Sequence, residues 1–321
     1  MKSIGYPDHR AITGLALILV LTLAGCRPDH DEDGLTIGVS IAPQAFLVER
    51  IGAPHVQIET MLVAGESPAT FQPSDREISR ILRSKIYFRL RLPFEKGKWF
   101  ETLRRAKTEL AIVDLTAGIA LREMSHDHAC SAHSDCEEHD EQQGLETRDH
   151  GDQRSVTPSN TADPHIWLCP AHLQTMARTI TEALAAAAPE HAGEFQENLE
   201  TLLIELDELH GEIETILAPH RGKSFFIYHP AWGYFCETYG LHQIPIELEG
   251  KEPSEAEIST LVARARRDGS RVVFVQQQIA GRSARAIADA IGAEIQVLDP
   301  LAADVLANLR HAAHIIADSY R

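Results

Sequence analysis

Between Glu190 and Leu217, apolar residues fall at Phe195, Leu199, Leu202, Leu203, Leu206, Leu209 and Ile213, spacings of three and four that collect them on one helical face. Pro189 breaks the helical pattern before this stretch and no proline lies within it, so it predicts one continuous helix of about 28 residues, ~42 Å long. A rod of that length with an apolar stripe needs partners along all of it, which predicts a helix that runs the length of two lobes and fixes one to the other. The flanking patterns agree. Before it, β-rich runs at Leu35–Ser40, Val56–Leu62, Lys85–Leu90 and Glu109–Asp114 alternate with helical stretches at Gln44–Ile51 and Ser74–Arg83, and a further helix is predicted over Ala171–Ala188. After it, strands are predicted at Ser224–Tyr228, Gln243–Glu247, Arg271–Gln276 and Glu294–Leu298, with helices from Ser254, Arg282 and Ala302. The expected class is α/β, with two parallel-sheet lobes: an N-terminal lobe over 35–188, a bridging helix over 189–217 and a C-terminal lobe over 218–321. The 321 residues suffice for two domains, and the lobes share an order of elements rather than a sequence repeat.

Two segments stand outside this pattern. Residues 124–161 contain almost no aliphatic side chains and cannot build a core. They hold His126, His128, His133, His139 and His150 among acidic residues, with Cys130 and Cys136, and so predict a flexible loop able to collect metal ions; a merely solvated charge run is the alternative. Cys130 and Cys136 could bind metal as thiolates or pair with each other, and the pairing of Cys130, Cys136, Cys169 and Cys236 stays open. At the N-terminus, Lys2 and Arg10 precede an apolar run from Ala11 to Ala24, short for a membrane span and suited to an export signal. The run ends Leu23, Ala24, Gly25, Cys26, similar to a bacterial lipoprotein signal, so residues 1–25 are expected to be removed, Cys26 lipidated, and residues 26–34 to serve as a tether. The product would be exported, periplasmic and lipid-anchored to a membrane. A net charge of −17 repels a phosphate backbone and suits cationic ligands, which argues against nucleic acid as a partner.

Asp163, Pro164, His165, Ile166, Trp167 closes the polar insertion, and Tyr228, His229, Pro230, Ala231, Trp232, Gly233, Tyr234, Phe235 follows a second-lobe strand. A single histidine before a helix is more often packed or capping than a ligand. Two of them, one per lobe and each in an aromatic frame that excludes water and fixes the imidazole rotamer, point to a metal centre. With these segments, Tyr87, Phe88, Arg89, then Pro93, Phe94, Glu95, then Gly250, Lys251, Glu252, Pro253, Ser254, and Leu298, Asp299, Pro300, Leu301 occur in an order that resembles the zinc- and manganese-binding receptors of bacterial ABC importers over essentially the whole mature chain. The resemblance implies a metal held in the cleft between two lobes, and a partnership with a membrane permease and its ATPase. It places the ligands at His165, His229 and Asp304, although an aspartate near a helix start is favoured by the helix dipole whatever its function. Asp299 reads as a turn or cap residue, and Cys169 and Cys236 as small buried residues.

One position departs from the family. The segment Ser67, Pro68, Ala69, Thr70, Phe71, Gln72, Pro73 carries Ala69 where a histidine is usual. A fourth donor would then be water, Glu66, Glu249 or a histidine of the insertion. Two imidazoles and a carboxylate suit Zn2+ better than Mn2+, as does the histidine-rich loop of the resembled zinc receptors. The function implied is capture of Zn2+ outside the inner membrane, by a monomer, for import. The alternatives are a zinc buffer or metallochaperone without a permease, and a zinc hydrolase using the open position; no His-Glu-x-x-His spacing supports the last.

Overall fold

The computed structural model describes residues 34–106, 109–124, 162–247, 251–277 and 282–321. The first alternating series forms β1 (Leu35–Val39), α1 (Ala42–Gly52), β2 (Val56–Thr60), α2 (Asp75–Leu82), β3 (Ile86–Arg89), α3 (Lys98–Arg105) and β4 (Ala111–Asp114). The strands pair in parallel in the order β2-β1-β3-β4. Next come α4 (Pro170–Ala187), which takes Pro170 into its first turn, and α5 (Ala192–Leu217). The second series is β5 (Ser224–Ile227), α6 (Gly233–Tyr239), β6 (His242–Pro245), α7 (Glu255–Arg267), β7 (Val272–Val275), α8 (Arg282–Ile291), β8 (Glu294–Val297) and α9 (Val305–Asp318). Its parallel order is β6-β5-β7-β8, the same permutation as the first sheet.

The fold therefore has the expected class, two four-stranded parallel sheets with helices and a long helix between them. Helix α5 begins at Ala192 rather than Glu190 because Pro189–His191 winds as a 3-10 turn, and it runs for 26 residues. Its buried stripe is Phe195, Leu199, Leu202, Leu206, Leu209, Ile213 and Leu217; Leu203 lies on the flank, only partly buried. Along its length α5 packs on α1 and α4, which belong with the first sheet, and on α6 and α9, which belong with the second. One hydrophobic core accordingly runs from Ile37 in β1 to Ala317 in α9, and the described residues form one compact unit. The second sheet alternates as period-two strands must: Phe225 and Ile227 of β5 enter that core, while Phe226 and Tyr228 enter a second cluster with Leu261, Val273 and Ile287.

Two short helices, α3 and α6, were not distinguished in the sequence. Among the described residues no helix is long and apolar enough to cross a membrane. Cys26, the insertion histidines His126, His128, His133, His139 and His150, Cys130, Cys136 and Glu249 all lie outside the described residues.

Candidate metal centre

His229 leaves the carboxyl end of β5, beside the place where the strand order reverses, which is where α/β sheets gather ligands. The turn beyond it is clamped. The Ala231 amide donates to the His229 carbonyl at 2.8 Å. The Gln243 side chain accepts from the Trp232 amide at 3.0 Å and donates to the Pro230 carbonyl at 3.1 Å. Glu247, just past β6 and 5% exposed, bonds through its carboxylate to Nδ1 of His229. Its own amide donates to the Tyr228 carbonyl at 3.0 Å. An ionised carboxylate can only accept, so in the tautomer that this bond selects the proton is on Nδ1 and Nε2 is the atom left to bind a metal.

His165 is built on the same plan. Asp163 is wholly buried and accepts through Oδ1 from His165 Nδ1 at 2.7 Å and from the His165 amide at 3.0 Å. Its Oδ2 accepts from Arg122 Nη1 at 3.1 Å. Burial alone would raise the Asp163 pKa, but the bonds from His165 and the nearby Arg122 charge prevail and hold it below the ordinary carboxylate value. Burial pushes the His165 pKa down, against the pull of Asp163, which favours the neutral imidazole. This network needs Gly233: a Cβ there would lie 1.5 Å from Arg122 Nη1 and 2.8 Å from Asp163 Oδ2. Tyr234 of α6 completes the junction, donating from its hydroxyl to the Asp163 carbonyl at 2.8 Å and accepting from the Arg122 amide at 3.1 Å. Arg122 and Asp163 also flank the base of the insertion, which is closed by an antiparallel bridge between Glu123 and Ala162.

With both Nδ1 atoms committed to carboxylates, the two Nε2 atoms stand 3.3 Å apart. Two Nε2 atoms at that distance are held together by a proton shared between them or by a metal ion that both coordinate. Two donors on a tetrahedral Zn2+ with bonds of about 2.0–2.1 Å sit about 3.3–3.4 Å apart, so the histidine pair already has the required spacing.

The other expected ligands are placed less directly. Asp304 is exposed and caps α9, its Oδ1 accepting from the Ala307 amide at 2.9 Å. Among the described residues no third carboxylate or thiol joins the two imidazoles within 4.8 Å. Asp299 follows β8, takes the Leu301 amide on Oδ1 at 2.9 Å and is partly buried. The next residue, Pro300, accepts a 2.6 Å bond from Trp167 Nε1, which ties this segment to the residue two beyond His165. Ala69 is exposed, and Glu66 beside it accepts from the Val63 amide at 3.3 Å. Cys169 and Cys236 are buried and free of disulfides, and burial pushes the Cys236 thiol pKa up, so it stays protonated. In the sequence Asp163 and Gly233 stand in the two histidine segments without an assigned role, Glu247 stands only as the end of a predicted strand, and nothing singles out Arg122. The available signals were Asp163 two residues before His165 and Glu247 just past β6.

A family model described as zinc-uptake complex component A, periplasmic, matches residues 37–318. The chain belongs to this zinc-uptake family. A putative metal-binding protein of Chlamydia muridarum (strain MoPn / Nigg) is 28% identical over 306 residues, covering 94% of this chain and 99% of that protein. The zinc-binding protein AdcA of Streptococcus pyogenes serotype M3 (strain ATCC BAA-595 / MGAS315) is 27% identical over 249 residues, which cover 76% of this chain and 46% of AdcA; the match thus spans under half of that relative. The crystal structure of ZnuA superposes with a TM-score of 0.76 at 32% identity, over 90% of this chain and 100% of that one. A 138–173 deletion mutant of ZnuA with zinc bound gives 0.74 at 33% identity, over 89% and 98%. Zinc-uptake components of this family are binding receptors rather than enzymes, which removes the hydrolase alternative.

Proposed function

We propose that this chain captures Zn2+ between its lobes at His165 and His229 and delivers it to an ABC-type permease and ATPase, acting outside the inner membrane from a lipid tether at Cys26. The observation that carries the reading is the pair of Nε2 atoms 3.3 Å apart, each imidazole oriented by a buried carboxylate. Membership of a zinc-uptake family supports the same cargo. The carboxylate ligand comes from the β8–α9 segment. Asp299 suits the role better than Asp304, because it is partly buried and its neighbour Pro300 is tied to Trp167, two residues beyond His165, while Asp304 is an exposed helix cap. The histidine-rich insertion, rooted at Glu123 and Ala162, would raise the local zinc concentration beside the cleft.

Competition titration of the soluble protein from Arg27 onward with Zn2+ and Mn2+, beside a form lacking residues 126–150, tests this reading. One tight zinc site that survives the deletion and is weakened at least tenfold by His165→Ala and by His229→Ala is the expected result. Unchanged affinity in either variant would remove the cleft assignment. Asp299→Asn and Asp304→Asn, run in parallel, decide the carboxylate.

A further inference from the structure

We infer that His55, His191 and Glu194 form a second, peripheral site for a divalent transition-metal ion of the Zn2+ type, separate from the cleft. The donor atoms of these three side chains lie within 4.8 Å of one another, and neither His165 nor His229 belongs to the group. His55 Nε2 and Glu194 Oε2 are 2.6 Å apart. The His55 and His191 rings stack at 3.6 Å between centroids and 12° between planes. Two imidazoles and one carboxylate are the kind of donor set that a borderline cation selects, and the exposure of the Glu194 side chain leaves room for water at the remaining position.

The frame around the cluster is already fixed. His55 occupies the turn between α1 and β2, where its amide donates to the Gly52 carbonyl and its carbonyl accepts from the Leu35 amide, both at 2.9 Å. His191 ends the 3-10 turn before α5 and Glu194 lies in the first turn of that helix, a spacing of three that points both side chains to one face. One turn further along α5, Asn198 Nδ2 donates to the Ile51 carbonyl at 2.9 Å and pins the helix to the end of α1. Buried Phe195 packs edge-on against His55 and tilted against His191, closing the apolar side of the cluster. The site sits at the amino edge of the first sheet, because His55 immediately precedes β2. An ion there would link the α1–β2 turn to the start of the bridging helix.

Near-parallel rings cannot both aim an in-plane lone pair at one ion, so binding requires one imidazole to turn out of the stack about its Cβ–Cγ bond. This gives the test a signature that a mere ion pair between His55 and Glu194 would lack. The chain from Arg27 onward, carrying His229→Ala to disable the cleft and labelled with 15N at histidine, is titrated with Zn2+ and followed by long-range 1H–15N NMR. The His55 and His191 ring signals are assigned by their loss in His55→Gln and His191→Gln. Both are expected to move together as zinc is added, each glutamine variant is expected to lose one bound equivalent in equilibrium dialysis, and Glu194→Gln is expected to weaken the site at least tenfold. Far-UV circular dichroism verifies that the variants are folded. Ring signals that stay fixed up to millimolar zinc while other histidines respond, or an unchanged zinc count in the folded glutamine variants, would overturn the inference.

Discussion

Replacing Glu247 with Gln tests whether the cleft works by presenting a pre-oriented imidazole. The amide oxygen can still accept from His229 Nδ1, so the variant keeps the ring position and removes only the negative charge behind it. That charge lies one imidazole away from the bound ion, on the order of 6 Å; with an effective dielectric of about 20, its attraction for a divalent cation reaches about 5.5 kcal/mol before losses to hydration and salt. Outer carboxylates of this kind typically contribute 10–100-fold in metal affinity, about 1.4–2.7 kcal/mol, which leaves a plausible share of that ceiling. The assay is zinc competition against a chelator of known affinity at pH 7, in protein lacking residues 126–150 so that the loop does not report. The melting temperature of the metal-free form serves as the control for folding. Glu247→Gln is expected to bind zinc 10–100-fold more weakly, and Glu247→Ala more weakly still, since it leaves the buried Nδ1–H without its partner. An affinity within twofold of wild type for Glu247→Gln, with unchanged metal-free stability, would refute the argument that this carboxylate prepares His229 for the ion.

Ala69→His restores an imidazole on the exposed segment between β2 and α2 and is expected to tighten zinc binding at least tenfold in the same titration; no change would mean that another donor already fills that position. Acid should destabilise the metal-free protein in two stages. The folded-state pKa of His165 lies below its ordinary value of 6.5, so the unfolded chain takes up a proton that the native state refuses, and stability falls as pH drops from about 6.5 through the folded value. Asp163, lowered from 3.8, contributes stability that is present above that value and lost as pH falls further, through its own folded pKa. Melting curves recorded from pH 7.5 to 5.5 should therefore decline more for wild type than for His165→Gln, and equal slopes would contradict the assignment.

The architecture was legible because each layer announces itself by periodicity. Seven apolar positions at helical spacing identified α5, and the interior runs of β3, β5 and β7 read as strands that parallel sheets bury on both faces. Helix α6 escaped because the aromatic run through Gly233–Tyr239 reads equally as core, and α3 went unread although it is as long as α2, which was recognised. The aromatic settings of His165 and His229 singled them out in the sequence, and the structure brings their Nε2 atoms to 3.3 Å from each other. Their orienting carboxylates were only half legible: Asp163 sits two residues from His165, but Glu247 reaches His229 by strand pairing between β5 and β6, which places chain-distant residues side by side. The choice between Asp299 and Asp304 depends on the bond from Trp167 to Pro300, a tertiary contact that leaves no mark on local sequence. The same holds for His55 and His191, whose stacking depends on how α1 and α5 pack.

The arrangement also explains why a strongly acidic chain does not need carboxylates as its principal ligands. Asp163 and Glu247 place their charge behind neutral imidazoles rather than directly on the ion, and Arg122 offsets part of the charge on Asp163. Imidazole nitrogens select Zn2+ over harder cations such as Mg2+ and Ca2+, which favour oxygen and are abundant outside the cell, while the buried acids supply the field that draws a divalent ion inward. A cleft lined by the carboxylates themselves would bind more cations and discriminate less. The two histidines arrive on chain segments on either side of α5, so the 3.3 Å Nε2–Nε2 separation is set by how the two halves of the fold pack on that helix.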